Sequence, residues 1–114
     1  DRSRAPLEVD LRPAARAAVH DLRSRRPASL VSARFHNAVV KVTGEVARAR
    51  LADLGRVPVA LTGGVFQNER LCRGIERDLS LDFYVLRNCE VPPGDGGIAL
   101  GQALIADAIL GDKG

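Results

Sequence analysis

The sequence predicts an α/β fold in which helices pack on a small parallel sheet. Three observations carry that expectation. Apolar stretches at Val57-Pro58-Val59-Ala60-Leu61 and Phe83-Tyr84-Val85-Leu86 read as strands buried between helices. They alternate with amphipathic segments, and the order helix–strand–helix–strand–helix means a parallel pair joined by a right-handed crossover. Each apolar stretch runs into a glycine-rich segment, Leu61-Thr62-Gly63-Gly64-Val65-Phe66-Gln67-Asn68 and Val91-Pro92-Pro93-Gly94-Asp95-Gly96-Gly97. Both segments lead into helices, so backbone N–H groups and helix dipoles point at one edge of the sheet, where open α/β sheets bind ligands.

The elements follow in chain order. Residues 1–6 are charged, contain Pro6 and lack periodicity, as a linker or disordered terminus would. Leu7-Glu8-Val9-Asp10-Leu11 alternates like a short strand. Pro13 suits the first turn of a helix with Asp10 as its cap, and Ala15, Ala18, Val19 and Leu22 share one face. That helix should stop near Arg26-Pro27, because the residue before a proline avoids helical angles. Ser29 opens a longer helix with an apolar stripe of Val31, Phe35, Ala38, Val39, Val42, Val46 and Ala49. Arg34, Asn37, Lys41, Glu45 and Arg48 form its opposite, polar face. After the first strand a helix is expected from about Gln67 to Leu79, with Leu71, Cys72, Ile75 and Leu79 inward and a Glu69/Arg73 pair outward. The last helix should run from Ile98 to Leu110 and end at Gly111, with Gly101 and Ala103 as close-packing positions and Gln102 either exposed or lining the cleft.

Composition narrows the function classes. At 114 residues, 46% apolar and 27% charged, the chain is one domain or one lobe of a larger one. Residues 7–114 are expected to form such a lobe. Methionine is absent and the chain opens on Asp1-Arg2-Ser3-Arg4, which suggests a piece of something longer. No apolar run approaches the roughly 20 residues that span a bilayer, and no leader opens the chain, so a cytoplasmic setting without membrane contact is expected. The net charge of +3 comes with one Tyr, three Phe and no Trp on which to stack bases. The arginines therefore read as a solvated face rather than a nucleic-acid surface. Cys72 and Cys89 share no metal-ligand spacing, and Cys72 falls on an apolar helix face as a small core residue.

The candidate site lies in the two glycine loops. Gly63 and Gly64 permit positive φ and close approach of a ligand to the backbone, or simply a tight turn. Neither G-x-G-x-x-G nor Gly-Lys-Ser/Thr is present. Asn68 can hydrogen-bond a sugar or base edge, or cap its helix. Asp95 is either the N-cap of the last helix or a carboxylate for a metal ion or its bound water. His36 lies beside the apolar stripe with no second His or Cys at i+3 or i+4, and reads as a partly buried, hydrogen-bonded histidine; His20 reads as solvated. No nucleophile with an evident base is present, so no catalytic residue is assigned.

The strings Val59-Ala60-Leu61-Thr62-Gly63-Gly64-Val65-Phe66-Gln67-Asn68-Glu69-Arg70-Leu71 and Val91-Pro92-Pro93-Gly94-Asp95-Gly96-Gly97-Ile98-Ala99-Leu100-Gly101-Gln102-Ala103 resemble the C-terminal end of the HypF family. Arg34-Phe35-His36-Asn37 is similar to the F-H-N segment of that family's long helix, and the resemblance runs from about Leu7 to Ala106. It implies the second lobe of an actin/Hsp70/sugar-kinase-like (ribonuclease H-like) fold, within a Kae1-like carbamoyltransferase domain of hydrogenase maturation. Such enzymes make carbamoyl-adenylate from carbamoyl phosphate and ATP, and pass the carbamoyl group to the C-terminal cysteine of the acceptor HypE. By the same resemblance Gly63, Gly64, Val65 and Asn68 are nucleotide-binding. Asp95 becomes a ligand of one divalent metal (zinc, iron or magnesium). The other ligands come from an H-x-x-x-H motif of a first lobe that this chain lacks, so the isolated fragment is expected to be inactive. Alternatives are a tRNA threonylcarbamoyl or antibiotic O-carbamoyl transferase relative, or a non-catalytic lobe that binds a partner. An open sheet edge also offers a surface for a dimer.

Overall fold

A computed structural model describes residues 7–52, 54 and 57–111. The expected linker at 1–6 and the end of the expected lobe at 112–114 lie outside the described residues. The chain forms α1 (Arg12–Arg23), α2 (Ala28–Leu51), β1 (Pro58–Leu61), a 3₁₀ turn (Gly64–Gln67), α3 (Glu69–Leu79), β2 (Tyr84–Arg87), a second 3₁₀ turn (Asp95–Gly97) and α4 (Ile98–Gly111). Strands β1 and β2 pair in parallel with Pro58 opposite Tyr84 and Leu61 opposite Arg87. Helices on a small parallel sheet are thus what the sequence folds into. Leu7–Leu11 forms no strand: among the described residues no strand lies beside it, and Leu11 O instead accepts the Ala15 N–H of α1 at 3.0 Å.

α1 begins with Leu11 at its cap position, and Pro13 sits in its first turn as expected. Asp10 lies one residue further out and still takes the Arg12 N–H at 2.9 Å. The Arg12 guanidinium closes on the same carboxylate and holds it below the ordinary aspartate range. α1 packs on the first half of α2, where Arg34 Nη1 donates to Asp21 Oδ2 at 2.7 Å.

The core sits where α2 and α3 meet the sheet. Leu61, Leu71, Cys72, Ile75 and Leu79 are buried, and Val39, Val40, Ala47, Val59, Phe66, Phe83 and Val85 pack around them. The four expected inward positions of α3 are therefore its core. On α2 the face toward α3 is rotated from the expected stripe, with Val40, Gly44 and Ala47 taking part. Gly44 is buried because its missing Cβ leaves space for the Asp78 carboxylate. Arg48, on the expected polar face, is no free surface cation: Nη1 reaches Asp78 at 3.0 Å and Nε reaches Asp82 at 2.6 Å.

α4 departs furthest from expectation. All of its residues are exposed, Leu104, Ile105 and Leu110 by more than 60%. A Cβ at Gly101 would meet nothing, so neither Gly101 nor Ala103 is a packing position here. Gln102 is exposed. No helix of the described residues is long and apolar enough to cross a membrane.

Candidate functional site

The two glycine segments meet beyond the carboxyl ends of β1 and β2. Gly63 N–H donates to Pro93 O at 2.6 Å, and Thr62 Oγ1 lies 3.4 Å from the same carbonyl. Gly63 has φ 105° and ψ 160°, a region essentially reserved for glycine. That conformation turns the chain out of β1, and Phe66 N–H then donates to Gly63 O at 3.0 Å to start the 3₁₀ turn. Gly94 completes the approach, since a Cβ there would come within 3.3 Å of Gly64 Cα and 2.8 Å of Gln67 Nε2. The loops can touch only because side chains are missing at the contact.

Between them lies an open cleft of about 450 Å³, lined by Thr62, Gly63 and Gly64 from the first loop, Asn88 after β2, and Val91 to Asp95, Gly97 and Ile98 from the second. Of the residues assigned by sequence, the structure brings Gly63, Gly64 and Asp95 to this cleft. Val65 is exposed beside it and does not line it. Asn68 sits behind the loop, where Oδ1 accepts the Leu71 N–H at 3.1 Å and caps α3. Its Nδ2 meets His36 Nε2 at 3.0 Å. Asn88 was not singled out by sequence; its signal was its place directly after β2, at the edge where ligands of α/β sheets collect.

Asp95 opens the second 3₁₀ turn, and no side-chain bond caps that turn. Its exposed carboxylate has no hydrogen-bond partner among the described residues, so it does not serve as the N-cap. No Lys or Arg lines the cleft among those residues. An anion there would rely on backbone N–H groups, of which Gly64 and Val65 head the 3₁₀ turn, and on the hydroxyl and amide of Thr62 and Asn88. A phosphate beside an unpaired carboxylate is repelled unless a cation stands between them. Among the described residues no group of three His, Cys, Asp or Glu can hold a metal ion. These residues alone therefore do not fit a metal site; they supply one carboxylate.

Behind the cleft, α3 is tied to the sheet through Arg87, whose Nη1 lies 3.7 Å from Glu76 Oε2 and 3.8 Å from Glu69 Oε1. Glu69 also accepts from Arg73 Nε, the pair expected from sequence, and Arg73 and then Arg87 hold its carboxyl below the ordinary glutamate range. Cys72 is buried and Cys89 exposed, both as free thiols.

The lobe is thus a parallel α/β unit whose two glycine turns are joined at an open cleft, with one carboxylate on it that is unpaired among the described residues. Residues 2–102 match the family described as carbamoyltransferase, Kae1-like domain, second subdomain. The chain belongs to this family. It is 48% identical over 62 residues to carbamoyltransferase HypF of Rhodobacter capsulatus, covering 54% of this chain and 8% of that protein. To carbamoyltransferase HypF of Synechocystis sp. it is 36% identical over 99 residues, 86% of this chain and 12% of that protein. Among solved structures it is similar to full-length HypF in the phosphate- and nucleotide-bound form. The TM-score is 0.73 at 43% identity, over 84% of this chain and 13% of that one. HypF of T. kodakarensis shares the fold with a TM-score of 0.72 at 23% identity, over 94% of this chain and 14% of that one. The chain thus spans about a seventh of these relatives' length or less.

Proposed function

We propose that this lobe is the nucleotide-binding half of a carbamoyltransferase site, which passes a carbamoyl group from carbamoyl-adenylate to the C-terminal cysteine of a HypE-type acceptor protein. The observation that carries the reading is the joining of the two glycine turns by Gly63 N–H and Pro93 O, with Asp95 on the cleft they form. Family membership supplies the reaction class, and a solved relative described as phosphate- and nucleotide-bound supports a nucleotide as occupant. On this reading carbamoyl phosphate and ATP are the substrates.

The chain's own part is to bind and orient. The backbone N–H groups of Gly64 and Val65 take the adenylate phosphate, while the Gly63 N–H stays on Pro93 O and holds the two loops together. The acceptor thiolate is itself the nucleophile: it attacks the carbamoyl carbon and AMP leaves, so the step asks no nucleophile of this chain. If a divalent cation joins the site, Asp95 would give it one carboxylate ligand, and its other ligands would have to come from outside the described residues. Exposed apolar side chains along α4 support a lobe that is covered by other structure in the working enzyme.

The test is carbamoylation of a HypE-type acceptor by a chain that carries this lobe together with its first subdomain, with carbamoyl phosphate and ATP supplied. Mass spectrometry should find one carbamoyl group on the acceptor's C-terminal cysteine. Asp95→Asn and Gly94→Val should each lower its rate of appearance at least tenfold. Undiminished transfer in both variants would overturn the placement of the site in this cleft, and no transfer by the unaltered chain would overturn the reaction.

A further inference from the structure

We infer that His36 is a positioning residue for the glycine turn, acting through Asn68 in one defined tautomer. The hydrogen-bond chain allows a single proton assignment. Leu71 N–H can only donate, so the Asn68 atom 3.1 Å away is Oδ1 and the amide's other end is Nδ2. Nδ2 can only donate, so His36 Nε2, 3.0 Å from it, must accept. At the other side of the ring, His36 Nδ1 lies 2.8 Å from the Ser32 carbonyl, which can only accept, and 3.4 Å from Ser32 Oγ, which can accept or donate; the nearer carbonyl therefore puts the proton on Nδ1. The imidazole is therefore neutral and Nδ1-protonated, and it bridges the backbone of α2 to the first turn of α3.

Asn68 is the single residue between the 3₁₀ turn and α3, and each of its groups is engaged. Its N–H donates to Val65 O at 3.1 Å and its carbonyl accepts from Cys72 N at 2.9 Å. Holding the Asn68 side chain thus holds both the end of the Gly64–Gln67 turn and the start of α3. The bridge also joins the F-H-N segment of α2 to the glycine loop across 32 residues of sequence. The groove that His36 faces is walled by Asn37 on α2 and by Arg70, Arg73 and Arg77 on α3, and no carboxylate lines it among the described residues.

A proton added at Nε2 sets a donor against the Asn68 amide and opens the bridge. In Asn68→Asp the cap to Leu71 N–H survives, but the second oxygen needs a donor, so the bridge closes only when Nε2 carries a proton, and the imidazolium alone does this while keeping the Nδ1 bond to the Ser32 carbonyl. The sign of the pH response therefore reverses between the two proteins. The consequence for ligand rests on the nucleotide reading above; the bridge itself does not.

The experiment is a pH titration of the isotopically labelled protein by NMR, reading the imidazole nitrogens and the amides of Gly63, Gly64, Val65 and Leu71. The expected result is a neutral ring protonated at Nδ1, with the loop amides moving at the His36 midpoint. In Asn68→Asp the loop should order as pH falls, and in His36→Ala the loop response should vanish. A ring protonated at Nε2, or loop amides that ignore the His36 titration, would overturn the inference without any variant having to fold. In a chain that carries this lobe together with its first subdomain, His36→Ala should weaken Mg-ATP binding about three- to tenfold, the equivalent of one neutral hydrogen bond. Mg-ATP that fails to bind even a chain that also carries the first subdomain, while the loop still follows His36, would refute the nucleotide reading and uphold the bridge.

Discussion

Gly63 shows how much one residue can decide. Its φ of 105° with ψ of 160° admits no Cβ without strain, although a Cβ there would meet no neighbour. The cost of substitution is therefore conformational and not steric contact. Gly63→Ala is expected to lose about 1–3 kcal/mol of stability in urea unfolding, the usual range for an L residue in such a region. A loss near zero would mean that the turn relaxes to another conformation, and the Gly63 N–H to Pro93 O bond with it. Glycine's presence was legible at this position, as was the need for a tight turn. The capture of the Asn68 amide by His36 was not legible, because nothing local in Asn68 or in His36 names a partner 32 residues away.

At the scale of elements, α3 is where sequence and structure agree best. Its apolar positions at 71, 72, 75 and 79 are the buried core, since one narrow stripe leaves only one way to face a sheet. Its N-terminus carries Glu69, favourably placed against the helix dipole and drawn down in pKa first by Arg73 and then by Arg87. A carboxyl whose folded pKa is depressed adds stability above its unfolded pKa and loses it as pH falls through the folded one. The α3–β2 unit should therefore weaken below the ordinary glutamate range, and Glu69→Gln should flatten that acid limb. Circular dichroism melts from neutral pH into acid would check it; parallel curves for both proteins would remove Glu69 from the account. On α2 the sequence reading erred by rotation. Its apolar residues are broad enough to serve two neighbours, α1 and α3, and a single stripe cannot say which face meets which.

The whole molecule is elongated, with a radius of gyration of 18.6 Å. A compact chain of this length would have roughly 13 Å. α4 is the reason apolar surface is left over: Ile98, Leu104, Ile105, Ile109 and Leu110 are all more than half exposed. Such a surface associates in water unless it is covered. On its own the chain is expected to self-associate with rising concentration, and Leu104→Glu with Ile105→Lys should return it to monomer in sedimentation velocity. Association unchanged by that pair would point to the sheet edge instead. α4 amides should also exchange with solvent faster than those of α3, because a 14-residue helix without packing is marginal in water.

By itself the sequence determined the α/β class, the two strands, the four helices, the inward face of α3 and the two glycine turns. These are encoded locally, in periodicity and in residues whose backbone freedom is special. Only the tertiary structure decided that the turns touch through Gly63 and Pro93, that Asp95 stands on the cleft unpaired among the described residues rather than capping a helix, and that Arg48 clamps two aspartates of the α3 end. It alone showed Asn68 and His36 as one unit and left α4 without cover. Those outcomes depend on which surfaces meet in space, and a pattern of apolar and polar residues records that a face must be buried without recording against what.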